Sequence, residues 1–227
     1  MGQQMSDTTL LKAVAERGAP GQDRKQLQRF DWLLQALETF VSEGIDAVRI
    51  TRLADDLGVS RGSFYWHFEN RNDLIETLVS YWKDKNTDAI VRSVAGAASL
   101  AQGIFRFFET CIDTAAFDPR LDLAIREWSR RSPKIRRLID REDAARIATL
   151  QAFYACFEYP MPDALIRARV LYYSQIGFYA LEIGESLATR LSYTEAYFEC
   201  FTGRDLDPRE AEEFRRHIID TYGDRLS

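Results

Sequence analysis

Three places in the second half of the chain mark the start of a helix and so constrain the fold strongly. At each, a residue whose side chain can cap a helix stands directly before a proline: Asp118-Pro119, Ser132-Pro133 and Asp207-Pro208. The capping oxygen accepts a backbone N–H of the first turn, and proline suits the first helical position because an N–H there has no partner within the helix. We therefore predict that helices begin at residues 119, 133 and 208.

Helical spacing of apolar residues fills the rest of the chain. From about residue 24 to Gly44 they recur at intervals of three and four, at Leu27, Phe30, Leu33, Leu34, Leu37, Phe40 and Val41. Two long helices are predicted over 133 to about 158 and over 162 to about 190. No segment has the alternation of a strand, and no internal repeat is evident. The predicted fold class is all-α.

Charge and cysteine content limit the classes of function. The net charge of −5 and the pI near 5.3 argue against a broadly basic surface, and residues 24–71 hold seven Lys/Arg against seven Asp/Glu. A nucleic-acid partner would therefore be bound by a few placed cations. Cys111, Cys156 and Cys200 are widely separated and His67 and His217 stand alone, which predicts no disulfide framework, no metal site and no cofactor.

An enzyme and a membrane protein are both disfavoured. No glycine-rich phosphate loop occurs, and no nucleophile, base or metal-ligand spacing is recognisable. No run approaches roughly 18 uncharged apolar residues, and no secretory segment opens the chain. We expect a cytoplasmic protein without enzymatic activity and without a membrane partner.

Two short helices are predicted between residues 51 and 68. Thr51 can cap the first, which runs through Leu57, and Gly58 breaks it. Ser60 can cap the second, which runs to about Phe68. Two short helices joined by a tight glycine turn form a helix-turn-helix, whose second helix enters the major groove of DNA.

The second short helix carries five rings in succession, from Phe64 to Phe68. Phe64 and Phe68 lie four residues apart, so they share one face of the helix and are predicted to be buried. Tyr65, Trp66 and His67 are then left at the surface. We interpret the run as an exposed recognition surface held by two buried phenylalanines.

The exposed residue types suit DNA. Arg61 can bind guanine through two hydrogen bonds, the Ser63 hydroxyl can donate or accept, and Gly62 allows close approach to base edges. Thr51 and Arg52, at the start of the first short helix, can offer a hydroxyl, a cation and a backbone N–H to a phosphate.

At this point the sequence resembles a known family. The segment ITRLADDLGVSRGSFYWHFENRNDLI, residues 50–75, is similar to the DNA-binding signature of TetR-family transcriptional regulators. The resemblance implies an N-terminal three-helix DNA-binding head with a helix-turn-helix, followed by a larger helical domain for ligand binding and dimerisation. We accordingly predict a flexible arm over 1–23, a DNA-binding domain over 24–72 and an effector-binding and dimerisation domain over 73–227.

The resemblance also implies roles for single residues. Thr51 and Arg52 contact phosphate, and Tyr65 and His67 contact the DNA backbone. The groove-facing residues of the helix 60–68 are Arg61, Gly62, Ser63 and Trp66. Arg71 stands where the family more often has lysine, and its forked guanidinium also suits a phosphate. Each of three residues also has an alternative role that involves no DNA. Tyr65 could pack against the first helix, His67 could be an ordinary surface histidine, and Arg61 could be a solvated charge.

The resemblance further implies a homodimer built on the last two long helices, binding a palindromic operator. A strip of small residues in the segment 162–190, at Gly177, Ala180 and Gly184, permits close approach of a second helix, and Ile166, Val170 and Tyr173 flank it. The alternative is that this strip packs against another helix of the same chain.

The family commonly binds a small effector in its larger domain, and here the effector is not identified by the sequence. Candidate pocket residues are Phe105, Phe108, Cys111, Trp128, Tyr154, Phe157 and Tyr172, with Arg126 or Gln175 as a polar anchor. Each could instead be an ordinary core residue, and Arg126 a solvated surface charge. The predicted function is a ligand-responsive homodimeric repressor, nucleoid-associated when bound to DNA. The alternatives are an activator and a helix-turn-helix protein that acts mainly through a protein partner.

Overall fold

The computed structural model describes residues 27–223, and every regular element within that range is a helix. The prediction of an all-α fold is confirmed. The first four helices are α1 (Arg29–Glu43), α2 (Ile50–Asp56), α3 (Arg61–Phe64) and α4 (Arg71–Trp82). The predicted N-terminal arm, residues 1–23, lies outside the described residues.

Eight further helices follow in the described part of the chain. They are α5 (Asp88–Val94), α6 (Leu100–Ile112), α7 (Pro119–Ser129), α8 (Pro133–Cys156), α9 (Asp163–Ala180), α10 (Leu187–Ser192), α11 (Thr194–Thr202) and α12 (Pro208–Tyr222). A 3₁₀ turn at Ile45–Ala47 precedes α2, and a π-helical turn at Lys83–Thr87 joins α4 to α5. Across residues 27–223, none of these helices combines the length and apolar character that crossing a bilayer requires.

The three predicted helix starts are confirmed. Asp118 accepts from the backbone N–H of Leu121, Ser132 from that of Ile135 and Asp207 from that of Arg209. In each case the proline occupies the first turn of the helix that follows. These local signals therefore fix where α7, α8 and α12 begin.

The predicted helix over 162–190 is wrong, because it is divided in two. Helix α9 ends at Ala180, and Glu182 then takes a left-handed conformation with φ of 50°, which a continuing helix does not allow. Ser186 starts α10 afresh by accepting from the backbone N–H of Thr189. Gly184 therefore lies in the connection between two helices.

The two short helices also differ in their limits. Helix α2 begins at Ile50, one residue before the predicted cap Thr51, because the carbonyl of Arg49 already accepts from Leu53. Helix α3 covers only Arg61–Phe64, since the following N–H groups bond to carbonyls three residues back. The predicted helix 60–68 is thus one α-helical turn continued by tighter turns.

The core of the N-terminal helices continues into the rest of the chain. Trp32, Phe40 and Phe64 are buried in one cluster with Leu121 and Ile135, which belong to α7 and α8. A second large cluster lies among α6, α8, α9 and α11. The first cluster crosses the boundary predicted after residue 72, and the domain limits 24–72 and 73–227 stay a prediction.

Gly103 marks a close approach within the second cluster. A Cβ atom built on Gly103 would lie 2.1 Å from Cε2 of the Phe153 ring, far inside van der Waals contact. Phe153 is itself buried, so its ring has little room to move. Glycine at this position lets α6 approach α8.

We expect Gly103→Ala to destabilise the protein by about 1–3 kcal/mol, because overpacking outweighs the roughly 1 kcal/mol gain in helix propensity. Urea unfolding followed by circular dichroism measures the change. The control is Gly62→Ala, where the new Cβ would meet its nearest atom at 3.6 Å, an ordinary contact. Equal stability changes in the two variants would contradict the close approach at Gly103.

Candidate nucleic-acid interface and ligand cavity

Helices α2 and α3 are joined by a turn that needs a glycine. Gly58 has a φ of 67°, a left-handed conformation that costs little only without a side chain. Val59 donates to the carbonyl of Ala54, which closes the corner between the two helices. Leu53 and Ala54 face the core beneath, so the outer sides of both helices remain exposed.

The aromatic run divides as its spacing predicts. Phe64 and Phe68 are buried, and Phe64 packs edge-on against Trp32 with ring centroids 5.3 Å apart. Tyr65 is 61% exposed and Trp66 86% exposed. Because a fully exposed tryptophan gains nothing from the core, Trp66 is available to an outside partner.

The other candidate contact residues lie on the same surface. Thr51, Arg52, Arg61 and Gly62 are exposed, while Ser63 and His67 are partly exposed. Arg52 is also ion-paired with Asp56 at 2.9 Å and Glu43 at 3.1 Å. The hydrogen bond to Asp56 and the charges of both carboxylates raise the pKa of its guanidinium. A phosphate at this point would compete with two carboxylates for one cation.

Arg71 has a structural task. Its Nε donates to the carbonyl of Val48 at 2.5 Å and its Nη2 to that of Ile45 at 2.6 Å. These bonds hold the 3₁₀ turn that leads into α2. Whatever DNA contact Arg71 makes, it already positions the first helix of the helix-turn-helix.

Arg29 is a positioning residue that the sequence did not reveal. Its Nη1 donates to the carbonyl of His67 at 2.8 Å, and its Nη2 donates to Asp73 and Thr77. Its guanidinium lies 4.2 Å from the centroid of the Phe68 ring. Arg29, on α1, therefore connects residues 67 and 68, which follow α3, to α4. Only its place at the start of an apolar stripe could have indicated this.

A buried network of charges joins α4 to the larger part of the chain. Asp122 accepts from Trp82 Nε1 at 2.9 Å, from Arg146 Nη1 at 3.1 Å and from Arg126 Nε at 2.8 Å. Asp122 and Arg146 are almost completely buried. Arg146 also donates to Thr87 in the π-helical turn. The network thus connects α4, the following turn, α7 and α8.

Tyr172 extends the network to α9. Its hydroxyl donates to Asp143 at 2.6 Å and accepts from Arg126 at 2.8 Å and Arg146 at 2.9 Å. Arg126 in turn makes two parallel bonds to Asp143, the geometry that suits guanidinium and carboxylate. Two arginines and two aspartates balance in charge. Arg126, a candidate pocket anchor, is a member of this network and not a solvated surface charge.

The environment of Asp122 keeps it ionised. Burial alone would raise the pKa of this carboxyl, but the charges of Arg146 and Arg126 and the Trp82 N–H outweigh burial and hold the pKa below its ordinary value. Arg146 retains one imperfection, because its Nη2 is buried without a hydrogen bond to any residue in the range 27–223.

An apolar cavity of about 110 Å³ lies among α6, α9, α10, α11 and α12. Phe105, Phe108 and Gln175, three of the candidate pocket residues, line it. Sequence reasoning missed the other rings in its wall, Phe178, Tyr197, Phe198, Phe201 and Phe214. A pocket built from five helices gathers residues that are distant in the chain, so no local spacing marks them.

The structure places the remaining candidates elsewhere. Tyr154 and Tyr172 are buried in the core, and Phe157 packs beside it. Trp128 packs edge-on against Phe40. The thiol of Cys111 is buried, and burial raises its pKa to about 12, so it stays protonated at neutral pH. With Arg126 in the charge network, six candidates do not line the cavity.

Five of the six candidate dimer residues form an exposed stripe on α9, and the sixth, Gly184, lies beyond the end of that helix. Ile166, Val170 and Tyr173 are 48%, 41% and 54% exposed. A Cβ built on Gly177 would meet nothing within 4 Å, and Ala180 is exposed at the end of the helix. The alternative that this strip packs against another helix of the same chain is therefore not supported by residues 27–223.

These features define a helical protein with an exposed helix-turn-helix and a separate apolar cavity. Residues 33–78 match the family "Bacterial regulatory proteins, tetR family". Over 53 residues the chain is 38% identical to the tetracycline repressor protein class C of Escherichia coli. The matched segment covers 23% of this chain and 24% of that protein. The matched segments span about a third or less of the curated relatives' length.

Similarity of fold extends much further than similarity of sequence. A TetR-family regulator from Marinobacter aquaeolei VT8 superimposes with a TM-score of 0.59 at 16% identity, covering 84% of this chain and 98% of that one. A second, from Streptomyces coelicolor, has a TM-score of 0.57 at 19% identity and covers 95% and 97%. Residues 33–78 therefore match the TetR family in sequence, and the described chain shares the fold of TetR-family regulators.

Removing one charged partner from the buried network should lower the stability of the protein. We expect Asp122→Asn to lower the free energy of unfolding by about 3–5 kcal/mol, because the buried Arg146 and the partly buried Arg126 then share a single carboxylate, that of Asp143. Urea unfolding measures this. The control Asp140→Asn removes the carboxylate of an exposed pair with Arg136 and should cost about 0–1 kcal/mol. Equal losses of stability in the two variants would show that the network contributes no more than an exposed ion pair.

The same substitution should change the response to acid. Since the folded-state pKa of Asp122 is depressed, its contribution to stability is complete above the unfolded value of about 3.9 and is lost as pH falls through the folded pKa. Asp122→Asn should therefore lose less stability than the wild type on acidification below about pH 4. Parallel acid profiles of the two proteins would contradict this role.

Proposed function

We propose that the protein is a ligand-responsive homodimeric repressor that binds a palindromic operator through residues 60–68. The observation that carries the proposal is the exposed surface of α3 and its following turn. There, Arg61, Trp66 and their neighbours face outward while Phe64 and Phe68 anchor the segment in the core. The family match over the same residues supports DNA as the partner.

Contacts to bases and to phosphates are carried by different residues in this proposal. Arg61, Gly62, Ser63 and Trp66 approach base edges in the major groove, where two hydrogen bonds from arginine to guanine are the commonest specific contact. The DNA backbone is contacted from Thr51, Arg52, Tyr65, His67 and Arg71. Because cations are few and one is shared with carboxylates, non-specific affinity is modest and binding depends strongly on salt.

The exposed stripe on α9 supports dimerisation. Its residues, Ile166, Val170, Tyr173, Gly177 and Ala180, are spaced four, three, four and three apart. This spacing is that of a helix seam that packs against another helix, and glycine permits close approach. A second copy of the chain would cover this apolar surface. Two heads can then read half-sites in successive major grooves, about 34 Å apart.

The cavity is the proposed effector site, and α9 is the proposed link to the head. Gln175 on α9 lines the cavity, while Tyr172, one turn earlier, bonds to Arg126 and Arg146. These arginines hold Asp122, which bonds to Trp82 at the end of α4. A ligand that shifts α9 would thereby change which position of α4 is favoured. Repression follows most simply if the ligand-free dimer blocks access to a promoter in the cytoplasm.

In vitro selection of bound DNA tests the proposed function. We expect a palindrome, and binding to it should fall steeply as salt rises. We further expect Arg61→Ala to weaken binding to the selected site by about 1–3 kcal/mol and to relax the preference at one or two positions per half-site. Fluorescence anisotropy with variant operators measures both effects.

Two further arginine variants are the controls for Arg61. Arg92 is exposed on α5, outside the predicted DNA-binding domain 24–72. We expect Arg92→Ala to leave the affinity for DNA unchanged. Arg52→Ala should lower the affinity for operator DNA and for random DNA by the same factor, as expected when a contact to phosphate is lost. An unchanged sequence preference in Arg61→Ala would show that Arg61 is only a surface charge. No DNA binding at low salt would favour action through a protein partner.

Gly177→Arg tests the dimer. The substitution places a long cationic side chain in the proposed seam while meeting nothing within the chain itself. We expect light scattering to show a monomer that keeps its helical circular dichroism but no longer binds operator. Ala144→Arg, an exposed position on α8, is the matched control and should remain a dimer. A wild-type monomer at micromolar concentration would refute the proposal.

A further inference from the structure

The wall of the cavity selects for an aromatic ligand. Seven of its side chains are rings: Phe105, Phe108, Phe178, Tyr197, Phe198, Phe201 and Phe214. Phe105 and Phe214 already stack face to face with centroids 4.2 Å apart, and Tyr197 lies parallel to Phe201. Aromatic rings favour stacked or edge-on contact with further rings. The volume of about 110 Å³ is comparable to the roughly 150 Å³ of an apolar cavity that binds benzene.

The wall of the cavity contains the buried amide of Gln175. Gln175 is only 6% exposed, and its Nε2 makes no hydrogen bond to any residue between 27 and 223. Burying an amide donor without an acceptor costs free energy, which a ligand acceptor would recover. Rotation about the last side-chain bond of glutamine is soft, so an N–H of this amide can turn toward a ligand.

Neighbouring hydroxyls do not fill this role, because their protons are already donated elsewhere. Tyr179 donates to the carbonyl of Cys111 at 2.6 Å, and Thr194 donates to that of Leu191 at 2.7 Å. Burial raises the pKa of the Tyr179 hydroxyl, and an interaction with the Gln175 amide opposes that rise, so the amide lies beside the Tyr179 oxygen without the geometry of a hydrogen bond, and the Tyr179 proton stays donated to Cys111. The hydroxyls of Ser174 and Tyr197 also line the cavity but belong to exposed residues, so the Gln175 amide is the buried polar group that a ligand can reach.

The charges in the wall favour a neutral molecule. The cavity is lined by one cation, Arg190, and one anion, Glu185. The Arg190 guanidinium lies 4.5 Å from the centroid of the Phe178 ring. The two charges are of opposite sign, so the wall has no net charge that would favour an anion or a cation.

We propose that the cavity binds a neutral molecule with one substituted aromatic ring and a hydrogen-bond-accepting oxygen, and that this oxygen accepts from Gln175. This inference rests on the proposed effector role, and it specifies the chemistry of the effector.

Two isosteric probes test the inference without DNA. Acetophenone carries a carbonyl oxygen where α-methylstyrene carries a methylene group, and both are otherwise of the same shape. We expect isothermal titration calorimetry on the full chain to show acetophenone binding about tenfold more tightly, the ratio that one hydrogen bond provides. Equal affinities, or no binding of either probe, would overturn the inference. This comparison uses the wild type alone and does not depend on a variant that folds.

Gln175→Met supplies the test of the residue. Methionine has a similar length but no donor, so the preference for acetophenone should disappear while α-methylstyrene binds at least as well as before. Gln151→Met, on α8 and outside the cavity wall, is the control and should keep the tenfold preference. A preference that survives Gln175→Met would assign the acceptor contact to another residue and refute the inference.

A third probe and a DNA measurement separate the remaining possibilities. If benzoate binds more tightly than acetophenone, and Arg190→Met removes that advantage, the ligand is an anion and the inference is overturned. Release of operator DNA by acetophenone is measured separately. Binding with the predicted preference but without an effect on DNA would support the ligand chemistry and refute the proposed effector role.

Discussion

The buried pair of Asp122 and Arg146 is the interaction on which the arrangement of the helices depends. Removing two charges from water costs several kcal/mol per ion, so such a pair persists only where its remaining hydrogen-bonding groups are satisfied. Here Trp82 on α4 bonds to Asp122 and Tyr172 on α9 bonds to Arg146, so that among the described residues Arg146 Nη2 is the one buried donor of the pair left without a bond. The geometry of the pair is therefore strict, and it fixes how the helix leaving the head sits on the rest of the chain.

Helix α9 takes part in three features of the structure: the charge network, the cavity and the exposed stripe. Helix α9 contributes Tyr172 to the charge network, Gln175 to the cavity and Gly177 to the exposed stripe, all within two turns. A displacement of α9 cannot affect one of these features alone, because a helix moves as a rigid element.

Local signals in the sequence predicted local structure well. Each capping residue before a proline starts a helix, and Phe64 and Phe68 are buried as their four-residue spacing requires. The prediction was wrong over 162–190, since apolar spacing alone does not show where a chain takes a left-handed turn. It also gave no sign of Arg29, whose partners lie 38 to 48 residues away.

The sequence by itself determined the all-α fold, the helix starts and the outward-facing residues of the helix-turn-helix, because caps, glycine turns and helical periodicity act over a few neighbouring residues. Only the tertiary structure decided which side chains line the cavity and that Arg126 and Arg146 form a buried network. Those properties depend on contacts between helices far apart in the chain. An arginine within an apolar stripe can end in water or against a carboxylate, and only the packed helices settle which.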